Sequence, residues 1–105
     1  MRWRRRVESA CAASGLSFTQ WLLLHSTQRL IEETADAVIQ AQIAARMELD
    51  QTTVSQVVRR LEARRLVSRA GDMTGKAWRV YLTDEAGGLL RELAEPIEAA
   101  STTAR

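Results

Sequence analysis

Residues 50–67, DQTTVSQVVRRLEARRLV, carry the pattern that decides the fold. Apolar side chains recur there at the i, i+3, i+4, i+7 spacing of one helix face, at Val54, Val57, Val58 and Leu61. Asp50 stands before the first turn, where an aspartate caps a helix well, so a helix is predicted from there to about residue 65. The opposite face is small and polar at first and cationic later. One face should anchor the helix, and the other should be exposed.

Two further helices are predicted ahead of this segment. Ser17 and Gln20 have the spacing of a capping box, in which each side chain binds a free backbone N–H, and they predict a helix over residues 18–33. A shorter helix is expected next. Residues 41–47 favour it, and the sequence leaves its first residue open between residues 36 and 39. Three helices therefore precede the next change of pattern.

The sequence period changes from helical to two after Leu66. The alternating side chains are Trp78, Val80 and Leu82 on one face and Ala77, Arg79 and Tyr81 on the other. The intervening loop, GDMTGK at residues 71–76, contains two glycines, so a β-hairpin is predicted. Thr83 is expected to cap a last helix, which Pro96 should kink or end.

The predicted order of elements is helix, short helix, longer helix, hairpin and helix. Two tightly joined helices followed by a two-stranded hairpin describe a winged helix-turn-helix, a fold that is mainly α with a small β-hairpin. We expect residues 1–15 to form a basic lead, either a short helix from Val7 or an arm. Residues 16–83 should form the winged domain, and residues 84–105 a C-terminal helix that serves as a dimerisation segment.

The composition is that of one soluble domain. The chain has 105 residues, of which 46% are hydrophobic and 27% charged. Its single cysteine excludes an internal disulfide framework and fits a reducing cytoplasm. The basic start, MRWRRR, is followed by no apolar segment of the kind a signal peptide has. No apolar run reaches the roughly 18 residues that span a bilayer. We expect a cytoplasmic protein that does not enter a membrane.

Charge is segregated along the chain. The net charge is only +2, yet residues 46–79 hold eight basic and four acidic side chains, a local excess of +4. Such segregation is typical of a protein that presents one face to a polyanion.

The exposed face of the central helix suits the major groove of double-stranded DNA. Small side chains let a helix approach closely, a glutamine can pair with an adenine edge, and an arginine with guanine. Basic side chains on the helix and hairpin would bind phosphates, which supply most of the affinity. The predicted DNA-binding residues are Gln51, Thr52, Thr53, Ser55, Gln56, Arg59, Arg60, Arg69, Lys76 and Arg79. A winged-helix module that binds an acidic protein is the alternative.

The chain resembles the multiple antibiotic resistance regulator (MarR) family of bacterial transcription factors. The matching segments are LSFTQWLLL (residues 16–24), QAQIAARMELDQTTVSQVVRRLEARRLVSR (residues 40–69) and GKAWRVYLTDEAGGLL (residues 75–90). The resemblance implies a homodimer that binds pseudo-palindromic operators, usually represses, and releases DNA on binding a small-molecule ligand or on cysteine oxidation. It also implies that residues 51–60 form the recognition helix and that Lys76 is the basic residue of the wing.

Three features depart from the family pattern. Arg65 stands where glycine is usual, and a positive φ there would strain an arginine. Thr74 stands where an acidic residue is usual before the wing base. The segments before Leu16 and after Thr83 are short for the long terminal helices through which the family dimerises. A further alternative is therefore an auxiliary protein that pairs with a full-length relative.

The remaining singular residues favour packing over chemistry. Cys11, flanked by alanines, is typical of a small core residue rather than a redox sensor. His25 has no second histidine or cysteine at ligand spacing, so we expect no metal site. Trp21 and Leu24 should pack in the core, with a small ligand pocket beside them as the alternative. No catalytic motif occurs, so we expect neither an enzyme nor a cofactor.

Overall fold

Helices surround a small antiparallel sheet in this protein, in a computed structural model that describes residues 2–71 and 77–103. The elements in chain order are α1 (Arg2–Ala13), α2 (Phe18–Thr34), β1 (Val38–Ile39), α3 (Gln40–Met47), α4 (Gln51–Ala63), β2 (Val67–Gly71), β3 (Trp78–Leu82) and α5 (Asp84–Thr103). The predicted winged helix-turn-helix, mainly α with a β-hairpin, is confirmed. Helices α3 and α4 form the helix-turn-helix, and β2 and β3 form the wing.

The sheet has three strands rather than the two that were predicted. Strands β2 and β3 pair antiparallel, with Val67 opposite Leu82 and Gly71 opposite Trp78. Strand β1 adds to the other edge of β3, with Val38 opposite Val80. Only two residues of β1 pair, which is too short a segment to show a period in the sequence.

The apolar face of α4 lies in the core. Val54, Val58 and Leu61 are fully buried, as the helical spacing predicts, whereas Val57 is only half-buried. The helix ends at Ala63, slightly before the predicted end. Arg65 follows with φ +59°, so the left-handed backbone that the glycine of the family pattern suggested is present here with an arginine.

Polar side chains fix the starts of two helices as predicted. Ser17 Oγ accepts a hydrogen bond from the Gln20 N–H at 3.0 Å, and Gln20 Oε1 accepts one from the Ser17 N–H at 3.0 Å, so the capping box of α2 is complete. Thr83 Oγ1 accepts from the Ala86 N–H at 3.3 Å and caps α5.

The basic lead is a helix packed into the molecule. Helix α1 begins at Arg2 rather than at Val7, and Val7 and Cys11 are fully buried in the same core as the winged domain. Arg4 Nε lies 2.8 Å from Glu8 Oε1, one turn away, which favours helix. Helix α1 packs mainly on α5. This packing explains why a segment that begins with a run of arginines is helical from Arg2 onward.

Pro96 does not end the last helix. Helix α5 continues through it to Thr103. Leu93 before the proline and Ala100 after it are both buried, and Ile97 packs against the core between them. Apolar contacts on both sides of the proline thus offset the loss of one helical hydrogen bond, which costs about 3 kcal/mol in an isolated helix.

Candidate nucleic-acid interface

The N-terminal end of α4 is held by its cap. Asp50 Oδ1 accepts the Thr53 N–H at 2.7 Å, and Oδ2 accepts the Thr53 hydroxyl at 2.9 Å. These hydrogen bonds stabilise the carboxylate and lower the pKa of Asp50. Thr53 was expected to donate to DNA, but its hydroxyl proton is directed to Asp50. Its role in this structure is to complete the cap.

The remaining predicted residues of α4 form one polar surface. Gln51, Thr52, Gln56, Arg59 and Arg60 are exposed, and Ser55 is half-buried beside them. Within the described part of the chain, no side-chain acceptor pairs with either arginine of this set. A helix with small side chains at its start and free cations later is thus presented to solvent, with its apolar face anchored beneath.

Gln40, which was not among the predicted DNA-binding residues, extends this surface beyond α4. A shallow cleft is lined by Gln40, Gln51, Thr52, Ser55, Gln56 and Arg59. Gln40 is the first residue of α3 and is only 6% exposed. The sequence does not indicate that Gln40 lies near these residues of α4, because the packing of α3 against α4 brings them together.

Arg69 does not lie with the free cations. Its side chain is 13% exposed, and its Nη2 donates to Glu62 Oε1 at 3.2 Å. Its guanidinium also stacks on Trp78, with 4.6 Å between Cζ and the ring centroid. In this conformation the guanidinium is engaged by an acid and a ring, so a contact between Arg69 and phosphate stays a prediction.

Two basic residues of the wing were also predicted to bind DNA. Arg79 is exposed on β3, opposite Ala70 of β2. Lys76 lies outside the described residues, as do Asp72 and Thr74. Among the described residues of the wing, Arg79 is thus the predicted DNA-binding cation that is exposed.

A separate cavity of about 240 Å³ opens between α2 and α5. Trp21, His25 and Leu90 contribute to its lining, and the rings of Trp21 and His25 stack with centroids 5.0 Å apart. Burial lowers the pKa of His25, and the charge of Arg29 lowers it further. Trp21 therefore lines a pocket as the alternative hypothesis suggested, whereas Leu24 is fully buried in the core.

Cys11 is not presented for redox chemistry. It is fully buried in α1, and burial, helped by the charge of Glu8, raises the pKa of its thiol. A raised pKa reduces the thiolate fraction that reacts with oxidants. The packing interpretation fits this environment.

Residues 2–71 and 77–103 contain neither a cluster of metal ligands nor a helix able to span a membrane. Among these residues, no group of three or more histidine, cysteine, aspartate or glutamate side chains is arranged to hold a metal ion. In the same part of the chain, no helix combines the length and the apolar character needed to cross a bilayer.

Solved structures similar to this one come from transcriptional regulators. A MarR-family regulator from Rhodococcus sp. RHA1 is 27% identical, with a TM-score of 0.81 over 97% of this chain and 69% of that chain. CouR from Rhodococcus jostii RHA1, solved with p-coumaroyl-CoA bound, is 26% identical, with a TM-score of 0.80 over 97% of this chain and 68% of that chain. A variant of MepR from S. aureus bound to an oligodeoxyribonucleotide shares the fold at 19% identity, with a TM-score of 0.75 over 97% and 72% of the two chains.

The match to a family model agrees with the structural comparisons. No curated protein gives a significant sequence match. Residues 14–77, which include the whole helix-turn-helix and the first wing strand, match the model of the MarR family. The resemblance noted in the sequence is thereby confirmed, and the chain belongs to the MarR family of winged-helix transcriptional regulators.

Proposed function

We propose that this protein binds double-stranded DNA in a sequence-specific manner as a cytoplasmic homodimer, and that it represses transcription until a ligand or partner releases it. The observation that carries the proposal is the surface of α4, where exposed polar and cationic side chains stand over a fully buried anchor of Val54, Val58 and Leu61. Recognition helices of this kind contact bases mainly through their N-terminal residues.

The chemistry of that surface favours DNA over an acidic protein. Gln56 and Arg59 have the side chains that pair bidentately with adenine and guanine edges, respectively. Arg60 and Arg79 are exposed cations that would bind the flanking phosphates. The solved MepR variant bound to an oligodeoxyribonucleotide supports the same partner for this fold.

The dimer and its release are the second part of the proposal. Two copies joined through α1 and α5 would place their α4 helices in major grooves about one helical turn apart, with the wings over the flanking minor grooves. The cavity between α2 and α5 is the candidate ligand site, and the solved complex of CouR with p-coumaroyl-CoA supports a ligand-responsive regulator. A ligand there would act by favouring one spacing of the two α4 helices over another.

Selection of bound sequences from random duplexes tests this proposal most directly. A palindrome with a fixed half-site spacing is expected, and its affinity should fall steeply as salt rises, because binding releases counterions. Sedimentation equilibrium of the free protein should give a dimer. Recovery of no preferred sequence, together with a flat dependence of binding on salt, would contradict the proposal and favour the protein-interaction module.

A further inference from the structure

Arg69 joins the wing to α4 through a cluster of side chains. It lies on β2, and its guanidinium reaches three other elements. Its Nη2 donates to Glu62 Oε1 of α4 at 3.2 Å, and its Nη1 lies 3.5 Å from Gln40 Oε1 at the start of α3. Its Cζ lies 4.6 Å from the ring centroid of Trp78 on β3. We call these four residues the Arg69 cluster.

The position of Arg69 in the sheet is one where an apolar residue is expected. Side chains alternate between the faces of a strand, so Val67, Arg69 and Gly71 of β2 share one face. Val67 is buried, and Val80, which pairs with Arg69, is buried as well. A cation thus lies beside apolar side chains on the inner face of the wing.

The contacts in the cluster do not replace all of the hydrogen bonds to water that Arg69 loses when it is buried. The side chain is only 13% exposed, and its Nε is buried with no hydrogen-bond partner among the described residues. An arginine keeps its charge when buried, and a buried ion pair is weak evidence for stability. The cluster is therefore better explained by the way it positions the elements it joins than by a contribution to folding stability.

Gly71 adapts the wing to this arrangement. It stands opposite Trp78 in the hairpin, and a Cβ added to it would lie 3.2 Å from the indole ring. Such a contact is tighter than nine in ten real Cβ contacts, so with a larger residue the ring would have to shift by a few tenths of an ångström. The absence of a side chain at Gly71 lets Trp78 lie across β2 and cover Arg69.

We propose that Arg69 is a positioning residue that fixes the wing strands relative to α4, so that the helix and the wing engage DNA in one register. Glu62 follows Arg59 by one helical turn, so the cluster ties the wing to the segment of α4 that carries the candidate base contact. This inference rests on the DNA-binding function proposed above.

A direct contact between Arg69 and a phosphate is the competing hypothesis, and Glu62→Gln separates the two. If Arg69 binds DNA itself, loss of the acid frees it, and the variant should bind as tightly as the wild type or more tightly. If Arg69 positions the wing, loss of the acid loosens the cluster, and binding should weaken although the protein becomes more positive. The two hypotheses thus predict opposite signs.

The experiment measures affinity and hydroxyl-radical footprints on the duplex that the wild type selects. Glu62→Gln is expected to weaken binding about fivefold and to lose the flanking protections while it keeps the central ones. Glu48→Gln, which makes the same charge change in the turn before α4, is the matched control and should bind at least as tightly as the wild type. Glu62 is 40% exposed, so the substitution should leave the fold intact.

Arg69→Met provides a second, fold-preserving variant, since it replaces a buried cation with an apolar chain of similar length. The same loss of flanking protections is expected, with the central protections retained. Equal affinities and footprints for Glu62→Gln and Glu48→Gln would overturn the inference alone. A wild type that selects no duplex would overturn the proposed function, and this inference with it.

Discussion

The guanidinium of Arg64 donates a hydrogen bond of 2.6 Å to the carbonyl oxygen of Gly15. It donates a second, longer one of 3.3 Å to the carbonyl of Ser14. Arg64 is the C-cap of α4, and Ser14 and Gly15 form the turn between α1 and α2. The end of the candidate recognition helix is therefore tied to the turn that leads from the N-terminal helix into the winged domain.

Loss of this tie should destabilise the protein. Arg64→Met keeps the aliphatic stem and removes both hydrogen bonds, so the free energy of unfolding should fall by about 1–2 kcal/mol. Arg60→Met is the control, because Arg60 is an exposed arginine of the same helix. Urea unfolding followed by circular dichroism measures both. Equal midpoints for the two variants would show that the Arg64 contacts contribute nothing to stability.

Substitution of the next residue should have the opposite effect. Arg65 has φ +59°, a conformation that glycine adopts without strain, so Arg65→Gly should raise the free energy of unfolding by about 1 kcal/mol. Arg60→Gly makes the same chemical change inside a regular helix and should lower it by about 1 kcal/mol. The same urea titration checks the pair, and a destabilised Arg65→Gly would show that its side chain outweighs the backbone strain.

Structural features that have a local cause were predictable from the sequence, and this explains which parts of the fold were predicted correctly. The period of Val54, Val58 and Leu61 and the capping residues Ser17 and Asp50 act within one or two turns. They therefore appear directly in the order of the residues. The winged fold followed from the order of such local elements.

Features that depend on distant partners were not predictable. Strand β1 exists because Val38 meets Val80, far along the chain. Arg64 and Arg69 are indistinguishable from the surface arginines in a sequence, and only the fold brings Gly15 to one and Glu62 to the other. The sequence therefore predicted which face of α4 is exposed, while the contacts of the individual arginines were seen only in the structure.

Cys11 should react slowly while the protein is folded. Burial raises the pKa of the thiol above its ordinary value and shields the thiol from reagents. Iodoacetamide labelling near neutral pH, followed by mass spectrometry, should be at least roughly tenfold slower in the native protein than in the protein unfolded in guanidinium chloride. Similar rates in the two states, or a labelling pKa below about 8.5, would support the redox-sensor alternative.

The stability of the protein should depend on the protonation of His25. Because burial lowers its pKa, the unfolded chain binds a proton there more readily than the folded protein does. Stability should therefore be full above the ordinary pKa of 6.5 and decline as pH falls below it. Urea midpoints measured from about pH 5 to 8 should show this slope in the wild type and a weaker one in His25→Phe. Acidic groups such as Asp50 and Glu33, whose pKa values are lowered, titrate below this window.

Arg59 provides the sharpest test of the DNA-contact surface. It is exposed on α4 and lines the polar cleft with Gln56 and Gln40. If Arg59 pairs with a guanine, Arg59→Ala should weaken binding to the selected duplex by about 1–3 kcal/mol and relax the preference at one position of each half-site. Fluorescence anisotropy with the selected duplex and its single-base variants gives both quantities.

The control for this prediction must lose a charge without losing a base contact. Arg29→Ala serves, because Arg29 is an exposed arginine on α2, outside α4 and outside the helices α1 and α5 that are proposed to form the dimer. It should change affinity little and uniformly, since a distant charge acts on DNA only through a screened field. If Arg59→Ala instead weakened binding to all duplexes alike, Arg59 would be a phosphate contact, and base recognition would rest on the shorter polar side chains of α4. If the two variants bound equally well, the exposed face of α4 would not be the surface that meets DNA.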